Sequence, residues 1–187
     1  MFRSSARKGF AGALVTDHFM NVQSFARDVA PWRERVDAQL KGYRAALEAG
    51  EALGFPVYCG WEFTYQDNSE DYLTLGLSPA FLYANEGCDG WEIARYAQTV
   101  HAAGGIIVRA HPYRKAWYIQ KPFIHRAGIA DAIEVYNAGN ADEAENESAL
   151  AYARKYDLPM TAGSDAHHAD ETARGYIGLA ERAESYA

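Results

Sequence analysis

Met160-Thr161-Ala162-Gly163-Ser164-Asp165-Ala166-His167-His168 is the stretch on which the reading of this chain turns. A short apolar run ends at Gly163-Ser164, and Asp165 and His167 follow two residues apart. Positions two apart on an extended segment share a face. A carboxylate and an imidazole therefore leave the end of a predicted strand toward one point. That is the donor pair a divalent cation requires, an anionic oxygen and a neutral nitrogen aimed from a rigid element. The competing reading is a polar loop that happens to carry histidine. Recurrence of the same pattern upstream argues for the metal.

Working outward, apolar runs predict strands over 10–15, 56–65, 72–77, 106–110, 132–136 and 160–162, with a further strand over 176–180. Helical spacing predicts helices over 34–53, 89–103 and 142–156, the first two stopped by Gly54 and Gly104-Gly105. Residues 21–33 read as a loop with a short helix, and 66–71 as a polar turn. The aromatic and basic segment 113–128 is too long for a simple connection and reads as a binding surface. Tyr113, Trp117, Tyr118 and Phe123 would supply a substrate wall, a lid or a cover for the site.

Strand, helix and strand in repetition predict a parallel sheet with crossover helices. His18, Glu62, His111, Asn137, Asp165 and His167 each stand at the C-terminal end of a predicted strand. In parallel α/β folds that edge is where sites are built. Each residue also has a plainer reading. Glu62 could pair with a cation beneath Trp61 and Phe63, His111 could cap its strand before Pro112, and Asn137 could satisfy loop backbone groups. Arg114 is a surface cation by default. His101 and His125 match no motif, and alternation turns His168 away from the Asp165–His167 pair.

The chain has 187 residues, enough for one domain, 1–187, with a substantial core. Hydrophobic residues make up 49% and charged residues 23%, as in ordinary soluble proteins. A formal net charge of -7 disfavours long nucleic acid and anionic membranes as partners. Two cysteines make neither a disulfide framework nor a paired-thiolate zinc motif, so a reducing cytoplasm is expected. No apolar run reaches the roughly 20 residues of a spanning helix, and the basic segment 1–8 does not read as a signal peptide.

Thr16-Asp17-His18, Gly60-Trp61-Glu62, Ala110-His111-Pro112, Ile133-Glu134-Val135-Tyr136-Asn137 and Gly163-Ser164-Asp165-Ala166-His167 resemble, in order, the motifs of the PHP domain. This is the polymerase-and-histidinol-phosphatase superfamily of metal-dependent phosphoesterases. The resemblance spans about 12–177 and implies a distorted (β/α)7 barrel holding two or three divalent ions at its C-terminal face; for this chain one to three are expected, and mixed nitrogen and oxygen donors suit Zn, Mn or Fe. Carried over by residue, it makes His18 and His167 partners on one metal. Glu62 would bridge two metals, His111 would bind one of these, and Asp165 the other. Asp17 would orient its neighbour without binding metal, Asn137 would line the pocket, and Arg114 would pair with a substrate phosphate.

Two departures stand out. The family opens with a His-x-His pair on its first strand, and no histidine precedes Asp17. Many members also carry histidine where Tyr72 stands. The expectation is a PHP-like domain that is incomplete at its N-terminus and lacks the first strand. The implied activity is hydrolysis of a small phosphorylated metabolite or nucleotide by metal-activated water. The alternative is a catalytically impaired PHP-like domain, fragment or divergent, kept for binding or regulation. A nuclease is a weaker third reading.

Overall fold

The computed structural model describes residues 9–20, 24, 26, 31–65, 69–117, 119 and 128–180. Tyr118, Phe123, His125, the basic segment 1–8 and the first half, 66–68, of the expected turn over 66–71 lie outside them. Strands β1 (Ala13–Val15), β2 (Val57–Cys59), β3 (Trp61–Tyr65), β4 (Glu70–Leu75), β5 (Ile106–Arg109), β6 (Ala132–Asn137) and β7 (Met160–Gly163) form two sheets. The helices are α1 (Trp32–Gln39), α2 (Lys41–Glu51), α3 (Ala80–Ala84), α4 (Ile93–Ala102) and α5 (Glu143–Lys155). This is an α/β fold, and in its sheets β1 pairs with β2 while β3-β4-β5-β6-β7 follow in order.

The expected single strand over 56–65 is broken at Gly60 into β2 and β3. A Cβ there would lie 3.0 Å from Thr16 Cγ2, Leu75 Cδ2 and the Thr74 carbonyl oxygen, so any larger residue would push its neighbours back at this crowded point. Beyond the break, the chain after β1 switches its pairing to β3. Phe19 N donates to Glu62 O at 2.8 Å and Glu62 N to Asp17 O at 3.0 Å, setting His18 beside Glu62.

The all-parallel expectation fails in the middle of the larger sheet. β3 and β4 form a hairpin with no helix between them, and β4 is antiparallel to both β3 and β5. β5, β6 and β7 are parallel, as expected. The described residues form no closed barrel: β1 and β7 each pair with a single strand.

The long helix expected over 34–53 is two helices, divided at Leu40. At this joint Gln39 turns inward. Its amide Nε2 donates to His18 O at 2.9 Å, and its Oε1 accepts from Met20 N at 3.2 Å. Residues 176–180 form no strand, and Tyr176, Ile177 and Leu179 stay exposed. α4 buries Ile93, Tyr96, Ala97 and Val100, four of the five residues whose helical spacing predicts its apolar stripe; the fifth, Trp91, precedes the helix and is half-buried. Asp142 caps α5 by accepting from Ala144 N at 3.0 Å, with Glu143 and Glu145 in its first turn and Arg154 and Lys155 in its last.

The core lies between the β3–β5 face and α4. Phe63 stacks on Tyr96 with ring centroids 4.1 Å apart, and Trp61 stacks on Phe81 at 5.8 Å. Burying each such ring contributes about 1.5–3 kcal/mol. The Tyr96 hydroxyl accepts from Trp61 Nε1 at 2.6 Å and meets Thr74 Oγ1 at 2.7 Å, so its polar end is satisfied. Alternation sends Trp61 and Phe63 to this core and Glu62 and Thr64 to the other face.

Candidate metal centre

Antiparallel β4 decides what meets Glu62. The register sets Thr64 opposite Asp71, and because β4 runs backwards its first residues lie at the edge where β3 and β5 end. Asp71, Glu62 and His111, just beyond β5, converge there. His111 Nε2 lies 3.2 Å from Glu62 Oε1 and 3.6 Å from Asp71 Oδ2. Among the described residues this is the one trio of acidic, histidine or cysteine residues whose ligand atoms lie within 4.8 Å of one another, and all three are buried. Thr64 Oγ1 donates to Asp71 Oδ1 at 2.6 Å, and Arg109 Nη1 donates to the Asp71 carbonyl at 2.7 Å.

His18 completes the group from the other side. Its Nδ1 is 3.0 Å from Glu62 Oε2, so the two Glu62 oxygens are divided between two imidazoles. His18 Nε2 faces His167 Nε2 at 3.4 Å. His167 is steadied through its backbone: Glu171 accepts from the N–H groups of His167 and His168, each at 2.9 Å. The structure thus brings together His18, Glu62, His111 and His167, four of the five residues expected to bind metal.

Asp165, the fifth, is turned to Arg114. Arg114 Nη2 donates to Asp165 Oδ2 at 2.6 Å and to Asn137 Oδ1 at 2.8 Å, while its Nε donates to Asn140 Oδ1 at 3.0 Å. Asn137 is 2% exposed and donates to Glu134 Oε2 at 2.8 Å. The two residues expected to contact substrate are therefore joined to each other and to Asp165. Glu134 Oε2 also accepts from His111 N at 2.8 Å, tying the end of β5 to β6. His111 and Asp165 both carry positive φ, 24° and 48°. Non-glycine residues hold such angles at a cost of about 1–3 kcal/mol, and they gather where surrounding contacts impose a working geometry.

Sequence reasoning missed Asp71 and Glu134. Glu134 lay inside a quoted motif but was given no role. A hairpin reading of 61–75 would have set Asp71 across from Thr64 and on the face of Glu62. Tyr72, where the family resemblance calls for histidine, faces away from the trio. Its hydroxyl donates to Glu70 Oε2 at 3.1 Å and its ring lies 5.0 Å from the Arg109 guanidinium carbon. The other described histidines fall outside the centre: His101 Nε2 lies 3.0 Å from Asp131 Oδ2, and His168 is exposed.

Burial opposes charge on Glu62, but the bonds from His111 and His18 outweigh it and hold the carboxyl well below the usual carboxylate range. Burial likewise opposes charge on His18 and His111, and the bond and charge of Glu62 outweigh it, raising both. Asp71 is raised, first by burial and then by the negative charge of Glu62. Two carboxylates and two imidazoles thus share one buried point, and the second carboxylate ionises only at a cost. A divalent cation relieves that cost, and mixed oxygen and nitrogen donors suit one. The residues present fit a metal.

The PHP-associated family model matches residues 143–187, a stretch that includes α5, β7, Asp165 and His167. No curated protein matches the chain by sequence. Among solved structures, a candidate metal-dependent phosphoesterase from Bifidobacterium adolescentis shares the fold with a TM-score of 0.60 at 18% identity, covering 96% of this chain and 84% of that one. A two-domain protein from Bacteroides vulgatus, containing a predicted PHP-like metal-dependent phosphoesterase, gives 0.54 at 17% identity over 80% of this chain and 41% of that one. An amidohydrolase from Chromobacterium violaceum with bound sulfate and no metal gives 0.62 at 15% identity over 92% of this chain and 83% of that one. Likeness at these identities speaks for the fold. The match over 143–187 makes that part of the chain similar to the PHP-associated family.

Proposed function

We propose that this chain is a metal-dependent hydrolase of phosphoric esters, acting on a small phosphorylated metabolite or nucleotide. The observation that carries the reading is the buried convergence of Glu62, Asp71 and His111, with His18 on the free side of Glu62. These residues would hold a divalent ion, with Zn, Mn and Fe suited to the donors. When bound, such an ion acidifies water and polarises a phosphoryl oxygen.

The chain's own residues prepare that chemistry. Thr64 fixes the Asp71 carboxylate, Glu134 fixes the backbone of His111, and Glu62 holds both imidazoles in place. His167 and Asp165 form the second wall, with Arg114 as the fixed positive charge beside them. Sulfate bound by the Chromobacterium violaceum relative supports an oxyanion as the kind of ligand this fold receives. Among the described residues no helix is long and apolar enough to cross a membrane. Two free, buried thiols support placement in the cytoplasm.

The test is direct. Protein stripped by chelator and resupplied with Mn²⁺ or Zn²⁺ should hydrolyse p-nitrophenyl phosphate or its diester, and EDTA should abolish turnover. No turnover with either ion counts against the reading. A second reading, a catalytically impaired PHP-like domain with a binding or regulatory role, is favoured by the engagement of Asp165 with Arg114. It predicts ion binding without turnover on either ester.

A further inference from the structure

Arg114 lies inside the candidate centre. Its guanidinium and the Asp165 carboxylate have side-chain exposures of 13% and 14%, and they meet at 2.6 Å. The pair is supported on every side that the structure describes. Asn137 and Asn140 accept from Arg114, Glu134 orients Asn137, and Asn146 orients Asn140 by accepting from its Nδ2 at 2.8 Å. The backbone is cut away to seat them. A Cβ on Gly139 would stand 2.9 Å from Asp165 Oδ2, 3.1 Å from Arg114 Nη2 and 3.1 Å from Asn137 Oδ1. A positive φ at Asp165 turns its carboxylate into this seat. Such a pair is built into the fold, unlike a chance surface contact.

The consequence falls on the second half of the centre. His18 Nε2 and His167 Nε2 face each other at 3.4 Å, and Asp165 is the carboxylate beside them: its backbone oxygen is 3.0 Å and its Oδ1 3.8 Å from His167 Nδ1. A divalent ion between the two imidazoles would need an anionic oxygen for charge balance, and the carboxylate that would supply it is already paired, through its Oδ2, with Arg114. It would also stand close to a guanidinium that keeps its proton throughout the working pH range. At the other half the described contacts show no guanidinium bonded to the side chains of Glu62, Asp71 or His111; Arg109 meets Asp71 at its backbone carbonyl.

We infer that the centre takes one divalent ion, at Glu62, Asp71 and His111, and that Arg114, locked on Asp165, stands in permanently for a second. An oxyanion would then meet one exchangeable and one covalently attached positive centre. This inference rests on the metal-dependent reading above and sharpens it by fixing the number of ions.

The test counts ions without relying on activity. Chelator-stripped protein is titrated with Mn²⁺, free ion is read by electron paramagnetic resonance, and zinc-loaded, gel-filtered protein is checked by elemental analysis. The wild type should take one ion per chain. Arg114→Ala should take two, because Asp165 is released. Arg114→Lys, which keeps the charge, should take one, and Arg114→Ala with Asp165→Asn should return to one. Asp165→Asn alone should leave the first ion's affinity within threefold. Two ions in the wild type overturn the inference, and so does a folded Arg114→Ala protein that stays at one. If Arg114→Ala does not fold, a loss of thirtyfold or more in Asp165→Asn overturns it equally. A folded wild type that binds no ion removes the metal-dependent reading itself.

Discussion

Replacing Asp71 with asparagine separates a ligand from an ordinary buried ion pair, because the two predict opposite signs. Asp71 is buried, and its pKa is raised by burial and by the charge of Glu62. The folded protein therefore prefers the neutral form, and ionisation at neutral pH costs stability that is regained only below the unfolded pKa of about 3.9. Asparagine is the neutral form made permanent, and it can still accept from Thr64. Two unit charges 4.8 Å apart, the outer limit for this trio's ligand atoms, repel by about 3 kcal/mol at an effective dielectric of 20. His111 offsets part of this while protonated. Metal-free Asp71→Asn should thus melt at or above the wild-type temperature, by up to about 12 °C at 2–4 °C per kcal/mol for a chain of this size. Its affinity for Mn²⁺ or Zn²⁺ should fall by at least about 100-fold, the upper end of what loss of a mere outer partner costs. Calorimetry of the stripped protein and a metal titration give the two numbers. A clear fall in apo melting temperature with unchanged metal affinity would make Asp71 a structural ion-pair partner and refute the reasoning.

Cys59 and Cys88 are buried, and burial pushes both thiols up to about 12. Neither should react with a thiol-specific disulfide reagent at pH 8 until the protein is denatured; stoichiometric labelling of native protein would contradict this. The folded state keeps protons that unfolded thiols lose near pH 8.5, so stability should fall as pH rises from about 9 toward 12, by about 1.4 kcal/mol per pH unit for each thiol. Alkaline urea titrations would show it, and stability that is flat or rising over that range would count against it. Gly163→Ala would drive a Cβ to 2.5 Å from Glu134 Oε1 and displace the group that holds His111 N. A loss of about 1–3 kcal/mol is expected, together with weakened metal binding, and full retention of both would show that Glu134 is not tightly held. Phe63→Ala removes the ring stacked on Tyr96 and should cost about 3–5 kcal/mol in urea denaturation, with a cost under 1 kcal/mol inconsistent with the core described.

Much of the site was readable because its residues lie at strand ends, where a short apolar run simply stops. His18, Glu62, His111 and His167 meet as their positions implied. Asp71 was hidden by strand direction. A search of C-terminal strand ends in a parallel sheet passes over the first residues of β4, yet reversal of that one strand carries them to the same edge. Local periodicity reports which face a residue takes but not which way its strand runs. The break between α1 and α2 was hidden for a similar reason, since helical spacing persists across Leu40. It is Gln39 reaching the distant backbone of His18 and Met20 that sets the joint. Arg114 read as a substrate cation because the sequence shows its charge and its nearness to His111. That Gly139 leaves room for it against Asp165 is a fact of packing between segments far apart in the chain.

The most direct measurement is a crystal structure of manganese-loaded protein with anomalous scattering recorded at the manganese edge. The account predicts a peak about 2.0–2.4 Å from oxygens of Glu62 and Asp71 and from His111 Nε2, the range of divalent-ion bonds to such ligands. A fully loaded crystal with no peak among these three residues, or with its ion bound elsewhere, would contradict it.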